Sequence, residues 1–154
     1  SAPSMGRDNM QNAKLEIREG SWEALGAEAT EIRRMVFIEE QRVPLEEEWD
    51  GRDPACRHFL ALLEGRPVGT ARLLPDAHIG RVAVLAEARG SGIGAALMAA
   101  AIGAARRDGH PAVELAAQTH ALAFYARLGF IPFGDEFLDA GILHRNMRLP
   151  LADF

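Results

Sequence analysis

With 154 residues, 48% of them hydrophobic and 25% charged, the chain is long enough for one compact domain and has the composition of an ordinary globular protein. A formal net charge of −5 argues against bulk nucleic-acid binding, and no apolar run reaches the roughly 18 residues that a transmembrane helix needs. Cys56 is the only cysteine, which excludes an intrachain disulfide and fits a reducing, cytoplasmic location; with His58 alone it makes too few ligands for a metal.

Residues 1–13 are polar, carry no apolar signal core and read as a flexible tail ahead of a single domain over 14–154. Leu15 to Arg18 alternates apolar and charged residues, as a short strand does. Ser21 can cap a helix from Trp22 to about Gln41, with Leu25, Ala29, Ile32 and Val36 at helical spacing. Pro44 stops it. The acidic stretch Glu46 to Asp50, with Trp49 inside, either receives a cationic amine by charge and cation–π attraction or is a solvated loop.

His58–Leu63 and Val68–Leu74, joined by Glu64-Gly65-Arg66-Pro67, read as an antiparallel hairpin. Ile79 to Val84 is the next strand, followed by a glycine turn and a largely apolar helix from Ala95 to Arg107 that Gly109 can end. Val113 to Ala116 is a buried-looking strand. Thr119 can cap a helix running to Leu128 and stopping at Gly129. Phe130–Phe133 and His144–Leu149 read as final strands. The order implies a mixed α/β (α+β) domain around one sheet.

The glycine turn is the most informative stretch: Arg89-Gly90-Ser91-Gly92-Ile93-Gly94, between a strand and a helix. Glycines this dense are costly inside regular structure. At a helix N-terminus they leave amides free to form an anion nest, so the turn reads as a phosphate cradle. A P-loop is excluded because no Lys-Ser or Lys-Thr follows. Gly90, Gly92 and Ala95 satisfy the dinucleotide fingerprint, with Glu114 as its acid, but the repeated strand–helix units that a nicotinamide-dependent oxidoreductase needs are missing. A turn serving only strand–helix packing needs at most one glycine.

Read as [RQ]-x-x-G-x-[GA] through Arg89, Gly92 and Gly94, and preceded by Arg81-Val82-Ala83-Val84, the turn resembles the acetyl-CoA-binding motif of the GNAT superfamily of N-acetyltransferases. Gln118, Ala121, Tyr125 and Gly129-Phe130 match that superfamily's second motif. Phe37-Ile38-Glu39-Glu40-Gln41, Asp50, Asp53, His58, Gly80 to Val84, Ala117-Gln118 and Gly141 to Met147 are similar to the ElaA-type branch.

The resemblance implies a mostly antiparallel sheet splayed at the cofactor slot and flanked by helices, with acetyl-CoA as co-substrate and no metal. Backbone amides of Gly90, Gly92, Gly94 and Ala95 would bind its pyrophosphate, and Arg89 would add charge. Val82 and Val84 would hydrogen-bond the pantetheine arm. The whole cofactor set comprises Val82, Ala83, Val84, Arg89, Gly90, Ser91, Gly92, Ile93, Gly94, Ala95, Gln118, Phe124 and Tyr125. A bulge would part the Ile79–Val84 strand from Val113–Ala116.

The implied reaction is direct attack by a primary amine of a small molecule or peptide. A lysine-like amine is neutral at pH 7 in only about one molecule in a few thousand, so a base is required. The expected general acid is Tyr125, whose phenol stays protonated at pH 7; otherwise it is a core tyrosine. Three residues compete as base or acceptor-pocket group. His78 would face the acceptor or sit in a loop beside Asp76. Glu114 would face the slot, or face solvent, or pair with an arginine. His144 would shape the pocket or close the sheet. A non-catalytic acyl-CoA sensor of the same fold is the rival reading, and a homodimer paired through terminal strands is compatible with the fold.

Overall fold

The computed structural model describes residues 14–151. The expected tail, residues 1–13, lies outside them. Strand β1 (Leu15–Gly20) pairs antiparallel with β2 (Arg57–Leu63), which forms a hairpin with β3 (Arg66–Leu73). Glu64 and Gly65 carry this hairpin, with φ of +50° and +78°. Two consecutive left-handed residues twist with the strands, so Arg66 and Pro67, expected in the loop, begin β3 instead. Strand β4 (Ile79–Val84) completes a four-stranded sheet in the order β1-β2-β3-β4.

Helix α1 (Trp22–Arg33) starts as the sequence predicts: Ser21 Oγ accepts from the Ala24 amide at 3.2 Å. The helical path then continues to Glu40, but with π winding over Arg34–Glu40, where each turn holds an extra residue. A short helix α2 (Leu45–Glu48) follows Pro44. Helix α3 (Ile93–Arg107) begins two residues earlier than expected and lies across the four-stranded sheet. Leu97, Met98, Ala101, Ala104 and Ala105 are buried there with Phe59, Val68 and Ala71. Gly69 permits the close approach, because a Cβ there would stand 3.0 Å from Leu97 Cδ1.

The remaining strands, β5 (Ala112–Gln118), β6 (Ile131–Asp139) and β7 (Ile142–Pro150), form a second, antiparallel sheet in the order β5-β7-β6. Strand β6 runs six residues beyond the expected Phe133. Gly134 to Glu136 look like a break in the sequence, but they form a bulge between Phe133 and Phe137, with Gly134 at φ +73°. Thr119 does not cap a helix as expected. It opens a single 3-10 turn, and α4 (Leu122–Arg127) starts after Ala121 with no side-chain cap. The single sheet expected from the element order is thus two sheets, joined by one parallel bridge between His78 and Glu114. Among the described residues no helix is long and apolar enough to cross a membrane.

Leu97 is fully buried between α3 and the sheet. Leu97→Ala is expected to destabilise the fold by about 2–5 kcal/mol, read as a lower urea midpoint with little change in slope.

Candidate active site

Strand β4 leaves β5 because of a bulge. Thr70 pairs with Ala83 and Arg72 with Gly80, so Arg81 and Val82 together face Ala71. Arg81 takes up the extra length with φ +50°. Past the His78–Glu114 bridge, the β4 edge towards β5 is therefore open. The gap is a cleft of about 1150 Å³, lined by Val82, Ala83 and Val84 from β4 and by Leu115, Ala116 and Gln118 from β5.

At one end the chain turns through Gly90 and Gly92, both left-handed at φ +84° and +79°. These values are free for glycine and strained for any other residue. Gly92 is the N-cap of α3 and its carbonyl accepts from the Ala96 amide at 3.0 Å, so the amides of Ile93, Gly94 and Ala95 precede the first intrahelical bond. Gly94 also keeps the turn bare: a Cβ there would stand 3.3 Å from Phe124 Cζ. Free amides, the positive helix end and an open wall fit a pyrophosphate group. Gly90, Gly92, Ile93, Gly94 and Ala95 line the cleft, whereas Ser91 is exposed beside it.

Arg89 lies at the same end but its fork is engaged. Nη1 and Nη2 donate to Glu40 at 2.7 and 2.8 Å, and Nε donates to the Val84 carbonyl at 2.9 Å. This pairing holds the Glu40 carboxyl below its ordinary pKa. Sequence reasoning missed Glu40 as a partner, since 49 residues separate the two.

Tyr125 reaches the cleft from α4, packed edge-on between Phe124 and Phe130 at 5.0 and 6.0 Å. Burial pushes its phenol up to about 12. Gln118 Nε2 donates to Gln41 Oε1 at 2.9 Å, tying β5 to the turn after the π segment. On the neighbouring strand, paired with Gln118, His144 places Nδ1 2.7 Å from the Ile142 carbonyl and stacks on Phe137. A carbonyl can only accept, so Nδ1 carries a proton, and in the neutral ring Nε2 is the nitrogen free to accept one.

His78 lines the rim, with Nδ1 3.1 Å from Asp76 and Nε2 3.5 Å from Glu114. Glu114 is not among the cleft residues. Its carboxylate lies between His78 and Arg148, whose Nε is 3.4 Å away. Of the alternatives open for Glu114, the structure places it against an arginine.

The acidic stretch divides. Glu46 and Glu47 are exposed, while Glu48 and Asp50 enter a cluster with Asp53, Arg33, Arg72 and Arg81. Arg33 lies 2.6 Å from Glu48 and 2.7 Å from Asp53; Arg72 lies 2.6 Å from Asp50 and 3.0 Å from Asp53. Trp49 covers Arg33 at 4.9 Å, so its cation is the protein's own. Nothing in the sequence marks these pairs, because each partner lies on a different element. Burial is the largest effect on Glu48 and raises its carboxyl despite three nearby arginines. Burial would raise Asp53 too, but Arg33 and Arg72 outweigh it and the net shift is downward.

A carboxyl held below its unfolded pKa contributes its full stabilisation above the unfolded value, and loses it as pH falls from there through the folded value. Asp53→Asn should therefore cost about 3–5 kcal/mol at neutral pH by leaving two buried arginines short of charge. The gap to the parent should narrow below about pH 4, as measured by urea denaturation across pH.

Residues 27–151 match the family model described as Acetyltransferase (GNAT) domain. The uncharacterized N-acetyltransferase YjcF of Bacillus subtilis (strain 168) is 38% identical over 120 residues, covering 75% of this chain and 86% of that protein. An acyl-CoA N-acyltransferase from Pseudomonas aeruginosa superposes with a TM-score of 0.78 at 32% identity, over 88% of this chain and 99% of that one. Escherichia coli ElaA superposes with the same score at 28% identity, over the same shares. With a family model over most of its length and relatives of this similarity, this chain belongs to the GNAT acetyltransferase family, whose co-substrate is an acyl-CoA.

Proposed function

We propose that this enzyme moves an acetyl group from acetyl-CoA to a primary amine of a small molecule or peptide, with both substrates bound together. The observation that carries this reading is the single cleft holding an anion nest at one end and a half-buried, protonated phenol, Tyr125, in its wall. Acetyl-CoA supplies a thioester carbonyl that the amine attacks directly.

The chain's own groups then have separable tasks. Amides of Ile93, Gly94 and Ala95, with the turn at Gly90 and Gly92, receive the pyrophosphate. The backbone of Val82 and Val84, on the β4 edge that has no strand partner there, serves the pantetheine arm. A backbone amide at the bulge polarises the carbonyl. The Tyr125 hydroxyl donates its proton to the departing thiolate, a role suited to a phenol that burial keeps protonated well above neutral pH. His144 Nε2 is the base we favour for the ammonium proton, because its other nitrogen is committed to the Ile142 carbonyl. His78, held between two carboxylates at the rim, is the second candidate.

The test is release of free CoA thiol from acetyl-CoA with a panel of amines, amino sugars and peptides, against a blank without acceptor. Turnover with one class identifies the acceptor. Tight CoA binding with no turnover across the panel would favour an acyl-CoA sensor. With an accepted amine, Tyr125→Phe is expected to lower kcat by about 10²-fold while CoA affinity holds. Unchanged kcat would remove Tyr125 from the chemistry.

A further inference from the structure

Arg81 occupies a strained seat. Its φ of +50° is a left-handed value that L side chains rarely adopt, and it falls in the middle of β4. Gly80, immediately before it, has no left-handed φ, and a Cβ there would meet nothing nearer than Arg72 Nε at 4.0 Å. Glycine thus stands where it is not needed, and arginine where glycine would be unstrained. Such a seat persists when the surroundings over-determine it.

The side chain shows what does so. Arg81 Nη2 donates to the carbonyl oxygens of Glu48 at 3.1 Å and Glu47 at 3.4 Å, and lies 3.4 Å from Asp50 Oδ2. Its Nε lies 3.1 Å from Glu48 Oε1. Every one of these oxygens belongs to segment 47–50, the end of α2 and the two residues after it. Glu47, Glu48 and Asp50 line the same cleft as Val82 and Val84, on a different element. One guanidinium therefore spans from the bulge that opens the cleft to a wall formed 31 to 34 residues earlier.

We propose that Arg81 is a positioning residue: it clamps segment 47–50 to β4, so that occupancy along β4 is transmitted to that wall. This rests on the reading of the cleft as the acyl-CoA site. The segment contains its own reporter, Trp49, whose ring lies 4.9 Å from the Arg33 guanidinium. Trp22, the other tryptophan, also lies near Arg33 at 5.8 Å, so the test uses a Trp22→Phe background.

CoA is titrated into this parent and into two further variants, with affinity from calorimetry and Trp49 emission recorded in parallel. Arg81→Gly keeps the left-handed backbone and removes the guanidinium. It is expected to bind CoA within about threefold of the parent but to lose most of the CoA-induced emission change. Arg81→Lys keeps the charge without the planar fork and should retain less than about half of that change. An undiminished change in Arg81→Gly would overturn the proposal, as would calorimetric binding to the parent with no response from Trp49. If Arg81→Gly does not fold, an undiminished change in Arg81→Lys would overturn it. No CoA binding to the parent would instead overturn the acyl-CoA reading on which it rests.

Discussion

The separation of β4 from β5 is the constraint from which the rest of the site follows. Two strands lying side by side would satisfy each other's backbone and leave no room between them. Here they share one bridge, His78 to Glu114, and then diverge, because Arg81 and Val82 together take the space of one residue opposite Ala71. The divergence leaves backbone groups of β4 facing a cleft instead of a neighbour. It also gives the helix after the glycine turn an open wall towards which its free amides point. The cleft is therefore a consequence of one irregularity in one strand, and the glycine turn sets its amides at one end of that cleft.

Around that irregularity the protein has placed charges where charges are costly. Arg33, Arg72 and Arg81 face Glu48, Asp50 and Asp53, with equal numbers of each sign. Balance does not make such a group cheap. The raised Glu48 carboxyl shows desolvation outweighing the pull of its arginines, and Arg81 is pulled down for the same reason. Asp50 goes the other way: hydrogen bonds from Arg72 hold its carboxyl well below the usual range. Buried ion pairs of this kind contribute little net stability but are costly to break, and their geometry is directional. They join α1, segment 47–50, β3 and β4 at fixed distances, which suits a group that must hold two walls of a cleft in register.

Much of this was legible in the order of residues. Ile79–Val84 is found with the bounds that its apolar run implies, and the first strand and hairpin differ from expectation by a few residues at their ends. Glycines at Gly90, Gly92 and Gly94 announced a close backbone approach, and two of them take left-handed φ. Where local reading failed, a non-local effect decided the outcome. The bulge at Gly134 looks like a strand end until Phe137 is seen paired with His144. The π winding over Arg34–Glu40 has no signature in a hydrophobic pattern that suits an α-helix equally well. Glu46 to Asp50 looks like a single acidic patch, yet only the carboxylates of Glu48 and Asp50 pair with arginines.

The sequence by itself determined the class of chemistry: paired motifs around Arg89–Gly94 and Gln118–Phe130, one cysteine, one tyrosine, and apolar periodicities that order the strands and helices. These are local properties, set by backbone freedom at glycine and by burial of repeating apolar positions. Tertiary structure alone decided which polar and charged groups meet. Glu40 with Arg89, Gln41 with Gln118, and Arg81 with Glu48 and Asp50 are pairs more than 30 residues apart. An ion pair depends on the distance between two side chains in space, and only the packing of α1, the π segment and both sheets around the open cleft sets that distance.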